Sequence, residues 1–203
     1  LTSGGVLVTT KPLEQVHLFL GSDAPSHVDE SRFACALFNT ILGGNMSSRL
    51  FQEIRENRGL AYSVYSFFSP YADAGLFGVY AGTDPRNMNS VLEITKNEIR
   101  KLRSGQLSKD DLAAAKENAI GGMYLASESS DSRMMRAAKN EFIFQRYVDY
   151  EEVVESIERV SVDDVVEMAN KIFGHDKIAF AALGPITEED VDRGFLAMSG
   201  NGH

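Results

Sequence analysis

Apolar and polar positions alternate along "EQVHLFLGSD", where Val16, Leu18 and Leu20 share one face and His17 and Phe19 take the other, so this segment is predicted as a strand. "GGVLVTT" reads as a strand before it, across Lys11-Pro12-Leu13. The period then changes. In "DESRFACALFNTIL", Phe33, Ala34, Leu37, Phe38, Ile41 and Leu42 recur at helical spacing, and Gly43-Gly44 ends the run where left-handed backbone is cheap. "SSRLFQEIREN" predicts a second, shorter helix capped by Ser47 or Ser48, with Leu50, Phe51 and Ile54 as its buried stripe and Gly59 as its stop. "LAYSVYSFFS" and "LFGVYAG" are predicted as the two strands of a hairpin joined through "PYADAG".

The later part is helical. Asp84 caps a helix with Pro85 at its first position, running to about Leu102. Ser108 with Asp111 and Ser161 with Asp164 have capping-box spacing, and Leu107 with Leu112 and Val160 with Val165 sit as hydrophobic staples. These open a long helix to about Ser127 and a later one that ends at Gly174, with a helix over roughly 131–146 between them. "KIAFAALG" is apolar enough to predict a closing strand buried on both faces. Helices segregated from a hairpin-containing sheet argue an α+β fold, not a doubly wound one. With no internal linker or repeat, the expectation is one domain over 1–185 and a C-terminal tail over 186–203, loose at "LAMSGNGH".

Composition narrows the function. At 203 residues with 43% hydrophobic content, the chain has enough apolar surface for a sizeable core. A net charge of −9, spread along the chain, argues against nucleic acid and anionic membrane as partners. No apolar run reaches the ~18 residues needed to cross a bilayer. "LTSGGVLVTT" lacks the cationic region and apolar core of a signal peptide; without an initiator Met, it is read as the start of a mature piece or a fragment. The single cysteine, Cys35, falls in an apolar helical pattern, so an inert core thiol and a reducing compartment are expected.

A search for chemistry returns mostly negatives. "LGGN" and "IGGM" lack P-loop spacing, and no Gly-x-Ser-x-Gly elbow is present. "HVDES" at 27–31 has a His with Glu three residues on, but Ser31 stands where an HxxEH zinc helix needs its second His. Asp29 or Glu30 is expected to open the helix there, with His27 solvated, His17 structural, His175 in a turn and His203 in the tail. The paired carboxylates at Asp110–Asp111, Glu151–Glu152, Asp163–Asp164 and Glu188–Glu189 all sit near helix starts, where they complement the helix dipole.

The stretch "LGGNMSSRLFQEIRENRGLAYSVYSFFSP" is different: Arg49, Arg55 and Arg58 stand just ahead of Tyr62 and Tyr65. Spacing alone allows a structural account, with the arginines complementing a helix C-terminus and the tyrosine rings filling a core edge. That is the reading spacing alone favours; a site is the other.

"LGGNMSSRLFQEIRENRGLAYSVYS" resembles the second half-domain of M16 metallopeptidases, the pitrilysin/insulinase family that includes mitochondrial processing peptidase. The Gln-Val-His strand at 15–17, "SDSRM" at 130–134 and "IAFAALGP" at 178–185 support the resemblance over about residues 1–185. It implies a mainly antiparallel sheet with helices packed on one face. It also implies that this chain is the zinc-less half of a clamshell closing on an unfolded or extended peptide. Such a half contributes an Arg and a Tyr seven residues apart, which fall here on Arg55 and Tyr62; Arg58 has the wrong spacing. The implied partner is an N-terminal half bearing HxxEH, from the same precursor or another subunit, which holds the zinc; this chain is expected to hold none and to be inactive alone. Self-association of the isolated chain is expected, in a bacterial cytoplasm or alternatively a mitochondrial matrix. The other implied role is a non-catalytic structural or assembly subunit, or a free peptide-binding module. Peptide hydrolysis puts negative charge on the carbonyl oxygen, and guanidinium and phenol are both hydrogen-bond donors suited to it.

Overall fold

The computed structural model describes residues 4–174 and 178–191. Five strands form one sheet: β1 (Gly5–Thr10), β2 (Val16–Ala24), β3 (Ala61–Pro70), β4 (Gly75–Thr83) and β5 (Ala179–Gly184), in the spatial order β1-β5-β2-β4-β3. Only the β1–β5 pair is parallel; the other three pairs are antiparallel. The helices are α1 (Arg32–Leu42), α2 (Met88–Arg103), α3 (Lys109–Ser127), α4 (Ser130–Phe144), α5 (Tyr150–Arg159) and α6 (Val162–Phe173). This is the α+β architecture expected, a largely antiparallel sheet with helices on one side.

Period-2 alternation separates the two faces of the sheet. Val16, Leu18 and Leu20 point with Val79, Ala81, Phe180 and Ala182 into the core, where α1, α2 and α6 pack. Phe38 of α1, Phe77 of β4 and Phe173 of α6 meet at the centre, each essentially buried, with ring centroids 5.1–6.2 Å apart. The opposite face carries no helix of the described residues. A row crosses it with one residue from each strand in register: Leu7, Ala181, Phe19, Tyr80 and Tyr65. Phe19 and Tyr65 each lie about 5 Å from the Tyr80 ring, and the His17 ring nitrogen Nδ1 is 2.8 Å from the Tyr80 hydroxyl.

Several expectations hold in detail. Both capping boxes form, at Ser108–Asp111 and Ser161–Asp164, and all four staple residues are buried. Asp84 accepts the Arg86 backbone N–H ahead of α2. Cys35 is fully buried, and burial pushes its thiol pKa up, as befits an inert core residue. Asp29, not Glu30, organises the entry to α1: it accepts the Ser31 hydroxyl at 2.7 Å and the Ser31 N–H at 2.9 Å, and these bonds hold its carboxylate below the usual range.

Others are corrected. The β5 strand is not buried on both faces: Phe180 and Ala182 are buried, whereas Ala179, Ala181 and Leu183 are partly exposed on the open side. His27 is half-buried rather than solvated. Packing continues past Pro185, since Ile186 and Val191 are in the core and the Thr10 hydroxyl donates to the Ile186 carbonyl at 2.7 Å. His175 and His203 lie outside the described residues. Among the described residues, no helix is long and apolar enough to cross a membrane.

Candidate functional site

Arg55 and Tyr62 are carried by two elements that the core fixes separately. The end of α1 presses on β3. The Ser66 N–H donates to the Gly43 carbonyl at 3.0 Å, and its hydroxyl donates to the Asn39 side-chain oxygen at 2.7 Å. A Cβ on Gly43 would stand 2.5 Å from the Ser66 nitrogen, so only glycine permits this approach. The next turn is organised by Asn45, whose side chain accepts the Ser47 N–H at 2.8 Å. Neither serine caps a helix there as the sequence predicted; the Ser48 hydroxyl instead donates back to the Asn45 carbonyl.

Residues Phe51–Glu56 then form a π-helical turn, closed by Asn57 N–H to the Gln52 carbonyl at 2.9 Å. Leu50 and Ile54 anchor it in the core, and Arg55 projects from its outer side with its guanidinium 5.1 Å from the Phe51 ring. Gly59 sits at φ 61, the left-handed conformation its position required. The chain is pinned again at once. Leu60 donates to the Ile54 carbonyl at 2.8 Å, and its own carbonyl accepts the buried Thr83 hydroxyl at 2.6 Å.

Tyr62 follows directly, and its placement was not legible in the sequence. Ala61 pairs with Thr83 and Ser63 with the next residue, Gly82, so Tyr62 is the extra residue of a β-bulge. Bulges re-aim side chains, and Tyr62 is 69% exposed. Tyr65 is also exposed, on the open face of the sheet, so neither ring fills a core edge.

The three arginines have separated roles. Arg49 is engaged: its Nη2 donates to the Gln106 carbonyl at 2.6 Å and lies 3.6 Å from Asp111, while Nη1 is 3.9 Å from the buried Glu98. Arg58 pairs with Glu53 at 3.1 Å. Among the described residues, the Arg55 guanidinium and Tyr62 hydroxyl have no hydrogen bond or ion pair. Arg49→Ala is therefore expected to cost about 1–3 kcal/mol by leaving Glu98 less well paired, whereas Arg55→Ala and Arg58→Ala should stay within about 0.5 kcal/mol. Urea unfolding of the three variants checks this ordering.

No group of three or more His, Cys, Asp or Glu side chains that could hold a metal ion occurs among the described residues.

The family model of the Peptidase M16 inactive domain matches residues 1–119. The chain belongs to this family. It is 37% identical over 191 residues to an uncharacterized zinc protease of Streptomyces coelicolor, covering 94% of this chain and 41% of that protein. An uncharacterized zinc protease of Bacillus subtilis is 34% identical over 88% of this chain and 44% of its own length. The M16 domain thus spans less than half the length of these curated relatives. A crystal structure of a peptidase M16 inactive domain from Pseudomonas fluorescens superposes with a TM-score of 0.79 at 24% identity, covering 91% of this chain and 44% of that one. A chain of Complex III2 from Candida albicans superposes with a TM-score of 0.84 over 97% of this chain and 49% of its own, at 17% identity. At such identities the two structures share the fold, and the second lends no weight to an assembly role.

Proposed function

We propose that this M16 domain is the zinc-less, substrate-clamping part of a zinc-dependent endopeptidase. It holds an extended peptide and offers the Arg55 guanidinium and Tyr62 hydroxyl as donors to the scissile carbonyl. A separate half bearing HxxEH holds the zinc, in the same precursor or in another subunit. The observation that carries this reading is the contrast within one short segment: Arg49 and Arg58 are spent on structural partners, while Arg55 and the bulged Tyr62 are held on packed supports with their donors uncommitted. Donors fixed in advance need no reorganisation when charge develops. The relatives' description as zinc proteases supports the same class of reaction.

Two surfaces support an incomplete unit. One is the open sheet face around Phe19, Tyr65 and Tyr80. The other is α4, in which only Asn140 is buried while Met134, Met135 and Phe142 are exposed. A 15-residue helix with so little buried surface is marginal by itself, and exposed apolar patches of this kind mark interaction surfaces. They are assigned to the missing half, with self-association when the chain is alone and a bacterial cytoplasm as the setting.

Reconstitution tests the proposal. Neither this chain nor its HxxEH-bearing half is expected to cleave an unstructured fluorogenic peptide, and the two mixed should. Turnover by this chain alone, or one tightly held zinc per chain in metal analysis, would overturn it.

A further inference from the structure

A cavity of about 320 Å³ opens between α1, α3, α4 and α5, beside the tip of the β3–β4 hairpin, where the His27 N–H donates to the Tyr71 carbonyl. We propose that it binds a small amphipathic anion: one carboxylate or phosphate carried on an apolar body. Four of its lining side chains are Arg32, Arg136, Lys139 and His27, and no carboxylate lines it. In a chain of net charge −9 this is an unusual local balance. Among the described residues, none of the four is in an ion pair.

The two guanidinium groups are held by rings and backbone instead. Arg136 stacks on Tyr150 at 4.0 Å and donates through Nη2 to the Val148 carbonyl at 2.8 Å, while its Nε is buried without a partner. Arg32 lies 4.1 Å from the Phe33 ring and 5.5 Å from Phe144. Both forks are thus fixed without a carboxylate, the arrangement that suits a planar or tetrahedral anion. Burial, and after it the neighbouring Lys139 and Arg32 charges, hold the His27 pKa below its ordinary value. Met123, Val148 and Val153 supply the apolar wall. The volume suits a single small ligand.

Calorimetric titration of the 203-residue chain with 4-phenylbutyrate and phenylphosphate tests this, with inorganic phosphate and 4-phenylbutyramide as probes lacking one part each. At least one of the two amphipathic anions is expected to bind saturably, about tenfold or more tighter than either control, and to shift the His27 ring resonances. The tighter of the two identifies the head group. Lys139 is exposed and takes no part in core packing, so Lys139→Gln is the clean variant; it should weaken binding about tenfold, as loss of one charge-assisted bond implies. Arg136→Gln should weaken it at least as much, with a thermal melt to confirm the fold. Absence of saturable binding at tens of millimolar, equal binding of inorganic phosphate, or unchanged affinity in Lys139→Gln would overturn the assignment.

Discussion

Tyr62→Phe and Arg55→Lys should each lower kcat/KM of the complete, two-half enzyme by roughly 10²–10³-fold, the range expected for one lost oxyanion donor. Tyr62→Phe removes a hydroxyl and leaves the ring; Arg55→Lys keeps the charge and loses the planar fork. Both side chains are exposed and lack hydrogen-bonded partners among the described residues, so melting temperatures should stay within a degree or two of the parent. Arg58→Lys is the internal control. Its ion pair with Glu53 is exposed and tolerates the change, so turnover should be close to normal. Near-normal turnover in both Tyr62→Phe and Arg55→Lys, or a loss that tracks unfolding, would return residues 42–70 to a structural role alone.

The largest stability effect is expected at Phe38. It is fully buried between Phe77 and Phe173, where α1 and α6 meet the sheet. Phe38→Ala removes the ring and leaves a cavity walled by two further rings that cannot collapse far, at a cost of about 3–5 kcal/mol. For a domain of this size that lowers Tm by about 10 °C. Because α1 also braces β3 through Gly43 and Ser66, the loss should extend to hydrogen-exchange protection of β3, which carries Tyr62. A change under 1 kcal/mol in chemical denaturation would mean that the three rings are not the keystone described.

What was legible in the sequence was local. The two capping boxes, the Gly59 stop and the hairpin follow from residues within a few positions of one another. What was not legible depends on pairing at a distance. The Tyr62 bulge exists because Ala61 and Ser63 meet consecutive residues of β4, a register that β3 alone does not encode. The π-helical turn differs from an α-helix by one residue in its closing bond, and Asn45 organises the turn ahead of it while neither serine side chain caps it. β5 read as buried on both faces because its outward positions, Ala179, Ala181 and Leu183, are all apolar; only the sheet order shows that those positions face the open side. For the candidate site, the family resemblance, through the seven-residue Arg–Tyr spacing it implies, picked out Arg55 and Tyr62. Their separation from Arg49 and Arg58 by hydrogen bonding needed the coordinates.

The central claim is that Arg55 and Tyr62 act on the carbonyl oxygen as it acquires charge. The most direct measurement compares binding of two peptides to the complete enzyme and to its Tyr62→Phe and Arg55→Lys forms: an uncleavable ground-state peptide and a phosphinic analogue with a tetrahedral anionic centre. Donors to the oxyanion bind the transition state more strongly than the ground state. The predicted result is a loss of affinity for the analogue matching the 10²–10³-fold loss in kcat/KM, with ground-state binding changed less than about threefold. Equal losses for the two peptides would contradict the account and leave Arg55 and Tyr62 as contacts that merely hold the chain in place.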